Sequence, residues 1–266
     1  VSCPMMELKE ALRAAGIALI EDAAQGIGAF YVGMGMDGTG LWNGRQDGDG
    51  PHRFPLGSMG DFGALSLHHT KNITCGEGGI LIARSRKDYR TACQYRLHGT
   101  DRAMYLAGEV DRYTWNMPGS CTAMSELQAA VLASQMELME DVTSRRRAIV
   151  DGYRDRLRVL EEKGIARLMG IPGYAEPNGH IFYLRFETGA QRDYVKDFLA
   201  HREIESKTHY VPLHMSPQGQ RLGYRADDLM EASKCFETLL RLPVHGQMVG
   251  EQMEFVAGMV LKACGL

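Results

Sequence analysis

The run Ser66-Leu67-His68-His69-Thr70-Lys71-Asn72 places an amine just past a short apolar segment, residues 62–66, and just before the turn Gly76-Glu77-Gly78-Gly79. Phe-Gly-Ala-Leu-Ser, bounded by glycine and polar residues, suits a buried strand of an α/β sheet better than a helix, and ligands gather beyond the carboxyl ends of such strands. A lysine held there, partly shielded from water, is a usable nucleophile towards an aldehyde, so the chemistry on offer is Schiff-base formation. A lone lysine in a polar loop is ordinarily a solvated surface residue. The reading therefore depends on what else the chain brings to the same edge.

Residues 17–25 form a second apolar run that ends in Glu21-Asp22 and is followed by glycine-broken chain. It reads as another buried strand, delivering Asp22 and Gln25 to that sheet edge. A pyridine ring that serves as an electron sink needs a carboxylate to keep its nitrogen protonated, and Asp22 can serve; taken alone, it reads at least as well as the cap of a following helix. Ser66, five positions before the lysine, offers a hydroxyl suited to phosphate oxygens. The glycines at 76–79 lack the G-K-[ST] ending of a phosphate loop. His68 and His69 are adjacent on a segment read as extended, where successive side chains point to opposite faces, so they are not expected to act as paired ligands. No H-E-x-x-H occurs, and the acidic pairs between Gly33 and Pro51 do not fit an EF-hand, so no metal is expected.

The set Glu21-Asp22-Ala23-Ala24-Gln25, Gly60-Asp61-Phe62-Gly63, Ser66 to Asn72 and Gly76-Glu77-Gly78-Gly79, in that order and spacing, resembles the DegT/DnrJ/EryC1/StrS sugar aminotransferases. The resemblance continues through Tyr113-Thr114-Trp115, Ser125-Glu126-Leu127-Gln128-Ala129-Ala130 and His209-Tyr210-Val211-Pro212-Leu213-His214. It implies an aspartate-aminotransferase-like (fold type I) α/β enzyme that carries pyridoxal 5'-phosphate on Lys71. Asp22, Gln25, Ser66 and His68 are then cofactor-binding residues, with His68 packed near the ring. His209, Tyr210 and His214 would face a nucleotide-sugar, although a buried Tyr/His turn with satisfied hydrogen bonds describes them almost as well. By the same resemblance the amino donor is glutamate, the acceptor is dTDP-4-dehydro-6-deoxyglucose, the product is dTDP-4-amino-4,6-dideoxygalactose and the enzyme is a homodimer. Amination at carbon 3 is the neighbouring alternative. Dehydrating relatives replace the lysine with histidine, so Lys71 argues for transamination. Many members place an asparagine where this chain has Cys121, with Asn116 and Ser120 nearby. The resemblance also implies a preceding segment with further strands and a phosphate-holding turn; on that reading the chain is a fragment with an incomplete large domain, or a non-catalytic remnant.

Thirty basic and 33 acidic residues give a formal charge of −3 and a pI near 6.3, which leaves no broad basic surface for nucleic acid. Arg145-Arg146-Arg147 is read as a solvated helix face. The six cysteines include no C-x-x-C pair, and no apolar run approaches the roughly 20 residues that span a bilayer. The expectation is a cytoplasmic chain with reduced thiols and no membrane or nucleic-acid partner.

The elements that must position these residues follow from periodicity and punctuation. A helix over 5–15 stops at Gly16, and a long glycine-rich loop covers 26–60, with 33–57 resembling an insertion. A strand is expected at 80–83, and a helix runs from Ser125 through Leu127, Val131, Leu132, Met136 and Met139, its methionines filling core. A further helix covers 144–163. The domains expected are 1–143, the large-domain portion, and 144–266, a linking helix and small α/β domain. The latter should hold strands at 180–186 and 204–210 and helices at 191–202, 229–240 and 249–264.

Overall fold

The computed structural model describes residues 1–33 and 52–266. Its elements in chain order are α1 (Met5–Ala14), β1 (Ile20–Asp22), β2 (Phe30–Gly33), β3 (His52–Pro55), β4 (Phe62–Ser66), β5 (Gly79–Ala83), α2 (Arg86–Arg96), α3 (Arg102–Leu106) and α4 (Glu126–Glu137). There follow α5 (Met139–Glu162), β6 (Ala166–Leu168), β7 (Ala175–Glu176), β8 (Phe182–Phe186), α6 (Gly189–Ala200), a 3-10 turn (Leu213–Met215), α7 (Pro217–Arg221), α8 (Met230–Thr238), β9 (Leu239–Leu242) and α9 (Gly250–Ala263). They form two compact units: Val1–Asp141 with Ile171–Asn178, and Val142–Gly170 with Gly179–Leu266.

In the first unit α1 ends where Gly16 takes a left-handed conformation (φ +67°), which glycine adopts without a Cβ penalty. β1 then runs parallel to β4, with Ile20 beside Phe62 and Asp22 beside Ala64, and β5 pairs antiparallel on the other side of β4. Gly63 lies so close to Gly57 that a Cβ there would collide with the Gly57 carbonyl. The expected burial of 17–25 is not what forms. Only Ile20–Asp22 pairs, Ile20 is 69 % exposed, and the inward side chain is Glu21. With period-2 alternation, turning Glu21 inward turns Ile20 and Asp22 outward.

The stretch 26–60, expected to be loop, contains β2 and β3, which pair antiparallel with each other, and β7 joins β2 from the other side. Phe30-Tyr31-Val32 are β-formers, and Tyr31 is buried against Met5 and Met59 with its ring stacked on Tyr174 at 5.3 Å. Most of the expected insertion, and its acidic pairs, lie outside the described residues. α4 departs from expectation too. It has no buried residue, and Leu127, Val131 and Met136 are exposed, so Met136 fills no core.

In the second unit the antiparallel sheet β6-β8-β9 carries α6 and α8, α9 packs on α6, and α5 meets the sheet through Tyr153 and Phe182. Tyr153, Leu157, Leu160, Phe182, Leu184, Leu199, Leu240 and Val260 are fully buried there, and Tyr153 stacks on Phe182 at 5.2 Å. Burial pushes the Tyr153 phenol's pKa up, and its hydroxyl donates to the Pro243 carbonyl. α5 begins at Met139, earlier than the 144 expected, and Arg146 is buried rather than solvated. Its guanidinium donates to the Gly179 and His180 carbonyls, and desolvation lowers its pKa to about 10. No strand forms over 204–210; a single bridge joins Lys207 to Arg241. The helix expected over 229–240 stops at Thr238, where Leu239 turns extended to start β9 and occupy the edge of β8. Among the described residues, no helix is long and apolar enough to cross a membrane.

Candidate active site

Parallel β1 and β4 bring their carboxyl ends to one edge. Asp22 lies beside Ala64, and the Ala23 amide donates to the Ala64 carbonyl at 2.9 Å, so Asp22 and Ser66 emerge on neighbouring strands at the same end. Beyond Ser66 the chain is tied into a closed loop by Leu67, which is fully buried. Its amide donates to the Gly78 carbonyl at 2.9 Å, and its own carbonyl accepts from the Cys75 amide at 3.1 Å and from Thr74 Oγ1 at 3.0 Å. Gly76 closes the turn at φ +87°, with its amide on Thr74 Oγ1. Lys71 is half-buried on this loop, followed by buried Asn72 and Ile73, and its amide donates to the His68 carbonyl at 2.9 Å.

The polar side chains at this edge have capacity left over. Among the described residues, the Lys71 ammonium makes no ion pair. Among the described residues, the exposed Asp22 carboxylate meets no cation, and its Oδ1 accepts only from the Ala24 amide at 3.1 Å. Ser66 Oγ accepts from the His68 amide at 3.3 Å and donates to no acceptor among the described residues. An unpaired amine, an unpaired carboxylate and a hydroxyl with a proton to give fit an aldehyde, a pyridine nitrogen and a phosphate. Gln25 is exposed just beyond Asp22.

His68 and His69 do not point apart. Their ring centroids are 3.9 Å from each other with planes at 46°, because the chain leaves the extended conformation after Ser66 and turns at His69-Thr70. Alternation applies only to extended chain. His68 Nδ1 lies 2.8 Å from Thr70 Oγ1, and its Nε2 lies 3.5 Å from Glu77 Oε1.

Four residues that hold this edge were not singled out from sequence. Glu21 is 8 % exposed and its carboxylate accepts from the amides of Gly57, Met59 and Gly60; the signal was its position, opposite in parity to Asp22 on one strand. Asn72 and Asn178 are both buried, with Asn72 Nδ2 donating to the Asn178 carbonyl. Gln128 Nε2, at the capped start of α4, donates to the Glu77 carbonyl at 2.7 Å.

His209, Tyr210 and His214 belong to the second unit. Burial, and then the neighbouring Arg241 charge, lower the His209 pKa. Tyr210 is exposed beside the same arginine, whose guanidinium lies 5.9 Å from its ring centroid. His214 is buried with Nε2 at 3.0 Å from Ser233 Oγ, which donates to the Ala226 carbonyl. His214 thus has the surroundings of a satisfied core histidine. Cys121 is exposed and bridges to Leu97, while the Ser120 carbonyl accepts from the His98 amide and the Asn116 amide donates to the Gly99 carbonyl.

The chain is similar to several known proteins. A protein from Geobacillus stearothermophilus described as a pleiotropic regulatory protein is 28 % identical over 243 residues, covering 91 % of this chain and 56 % of its own. An aminotransferase from Psychrobacter cryohalolentis superposes with a TM-score of 0.81 at 22 % identity, covering 99 % of this chain and 66 % of its own. DesV of S. venezuelae, solved in complex with a ketimine intermediate, superposes at 0.79 with 24 % identity, covering 98 % and 62 %. The chain therefore spans somewhat over half the length of these relatives. Residues 1–261 match the DegT/DnrJ/EryC1/StrS aminotransferase family, and the chain belongs to that pyridoxal-phosphate-dependent family.

Proposed function

We propose that this chain is the cofactor-lysine portion of a homodimeric transaminase that moves an amino group from glutamate to a nucleotide-linked keto-deoxy-sugar. Our preferred acceptor is dTDP-4-dehydro-6-deoxyglucose, giving dTDP-4-amino-4,6-dideoxygalactose. The observation that carries the reading is the meeting of Asp22 and Ser66 at one edge of parallel β1 and β4 with Lys71 on the loop just beyond.

When bound, pyridoxal phosphate supplies an aldehyde and an electron sink. Lys71 Nζ would be the amine that holds the aldehyde, and once free it would be placed to take and return a proton. Asp22 holds a proton on the ring nitrogen through a charged hydrogen bond. Ser66 Oγ donates to the phosphate, Gln25 stands beside Asp22, and His68 packs near the ring. In the second unit, His209 and Tyr210 offer an imidazole and an exposed phenol to the nucleotide-sugar; His214, already bonded to Ser233, supports their turn. The exposed apolar side chains of Trp115, Leu127 and Val131 support a dimer, since no residue of α4 is fully buried among the described residues.

Incubating the full-length enzyme with glutamate and either the 4-keto or the 3-keto dTDP-sugar, then locating the new amine by NMR, tests the substrate. Amination at carbon 4 is expected. Amination at carbon 3 moves the enzyme to the neighbouring specificity, and no amination of either sugar leaves the reading without support.

A further inference from the structure

We propose that His68, His69 and Glu77 form a binding site for a borderline divalent metal ion of the zinc class, a site that shares His68 with the cofactor contacts assigned above and draws its other ligands from residues given no role there. One ligand atom from each residue can be chosen so that all lie within 4.8 Å of one another. His68 Nε2 and Glu77 Oε1 are 3.5 Å apart. Tetrahedral coordination with bonds of about 2.0–2.1 Å needs ligand atoms about 3.3 Å apart, and the side chains that would have to close the set, His69 and Glu77, are both exposed.

The surroundings are those of a metal-ligating imidazole. His68 Nδ1 faces Thr70 Oγ1 at 2.8 Å and also accepts from the Thr70 amide at 3.3 Å; ligation through Nε2 requires the tautomer whose Nδ1–H is given to the hydroxyl in place of that longer amide contact. Metal-bound histidines characteristically fix their second nitrogen in this way. The backbone beneath is held at both ends, by the Leu67–Gly78 hydrogen bond and by Gln128 on the Glu77 carbonyl. Two imidazoles and one carboxylate select Zn²⁺, Ni²⁺ or Cu²⁺ over Mg²⁺ and Ca²⁺, which take oxygen ligands. Three protein ligands leave a fourth position for water or another small ligand. Because the Lys71 amide is bonded to the His68 carbonyl, an ion here sits on the lysine-bearing loop, yet its binding does not depend on the proposed transamination.

Titrating the purified chain with Co²⁺ and recording its visible bands tests the site, because four-coordinate Co²⁺ absorbs far more strongly than the hydrated ion. One equivalent should bind with the intense spectrum and be displaced by Zn²⁺. His69→Gln and Glu77→Ala should each weaken binding by about tenfold or more, and Thr70→Val by about tenfold through loss of the imidazole's partner. His245→Gln, an exposed histidine elsewhere, should leave it unchanged. Far-UV circular dichroism of each variant separates loss of ligation from loss of fold. Equal Co²⁺ affinity in wild type and in folded His69→Gln and Glu77→Ala, or only the weak six-coordinate spectrum in wild type, overturns the proposal.

Discussion

The Asn72 carboxamide donates to the backbone carbonyl of Asn178 at 3.2 Å, and the Asn178 carboxamide donates to the carbonyls of Gln25 at 2.8 Å and Ile27 at 2.7 Å. The segment 171–178 thereby joins the lysine loop to the turn after Asp22 within one unit.

Asn178→Ala should strip the Gln25 and Ile27 carbonyls of these donors. An unmet buried polar group costs about 1–3 kcal/mol, so the denaturant midpoint should fall. If the link also sets the spacing between Asp22 and Lys71, pyridoxal phosphate should be held less well after dialysis. Asn178→Asp should be worse, because it turns an acceptor towards two acceptors. A midpoint unchanged in both variants would remove the linking role.

Glu21 should matter to stability more than its neighbour. Its carboxylate serves the amides of Gly57, Met59 and Gly60 in a buried turn, and Glu21→Ala orphans all of them. A loss of about 3 kcal/mol or more is expected in urea unfolding. Glu21→Gln keeps one acceptor oxygen but turns an N–H towards an N–H, so its loss should lie between. Asp22→Asn, at an exposed carboxylate, should change stability little while slowing the amino-donor half-reaction. A wild-type half-reaction in Asp22→Asn would sink its assigned role.

Lys71 should carry the pyridoxyl group after borohydride reduction of the cofactor-loaded enzyme. Peptide mapping locates it, and a label on Lys207 or another lysine would move the site. Lys71→Ala should abolish turnover, since no other group at this edge can replace the amine.

How far the sequence carried depended on the range of each interaction. The strand 62–66, the turn at 76–79 and the start of α4 after Ser125 were legible because each is written locally, in alternation, glycine or a Ser-x-x-Gln cap. The family motifs marked Asp22, Ser66 and Lys71 for the same reason. The inward Glu21 was not legible, because an apolar run suggests burial of its apolar members and only the distant 57–60 turn rewards the opposite choice. β7 is two residues long and exists through its pairing with β2. Leu239-Leu240 continue a helical pattern, yet the open edge of β8 claims them. The side-by-side rings of His68 and His69 come from a turn that contains neither glycine nor proline.

His209 gives the second unit a pH dependence whose sign follows from its surroundings. Burial, and then the Arg241 charge, hold its pKa below the ordinary 6.5. Between the folded value and 6.5 the unfolded chain binds more protons than the folded one, so stability rises with pH across that window. The contribution is present above the unfolded value and is lost as pH falls through the folded one. Melting temperatures of wild type and His209→Gln, compared from about pH 7.5 to about pH 5, should converge as the pH drops, because only the wild type takes up this unfavourable proton. Contributions of the other histidines cancel in the difference. A constant gap between the two proteins, or one that widens towards acid, would show that His209 is charged in the folded unit as readily as in water.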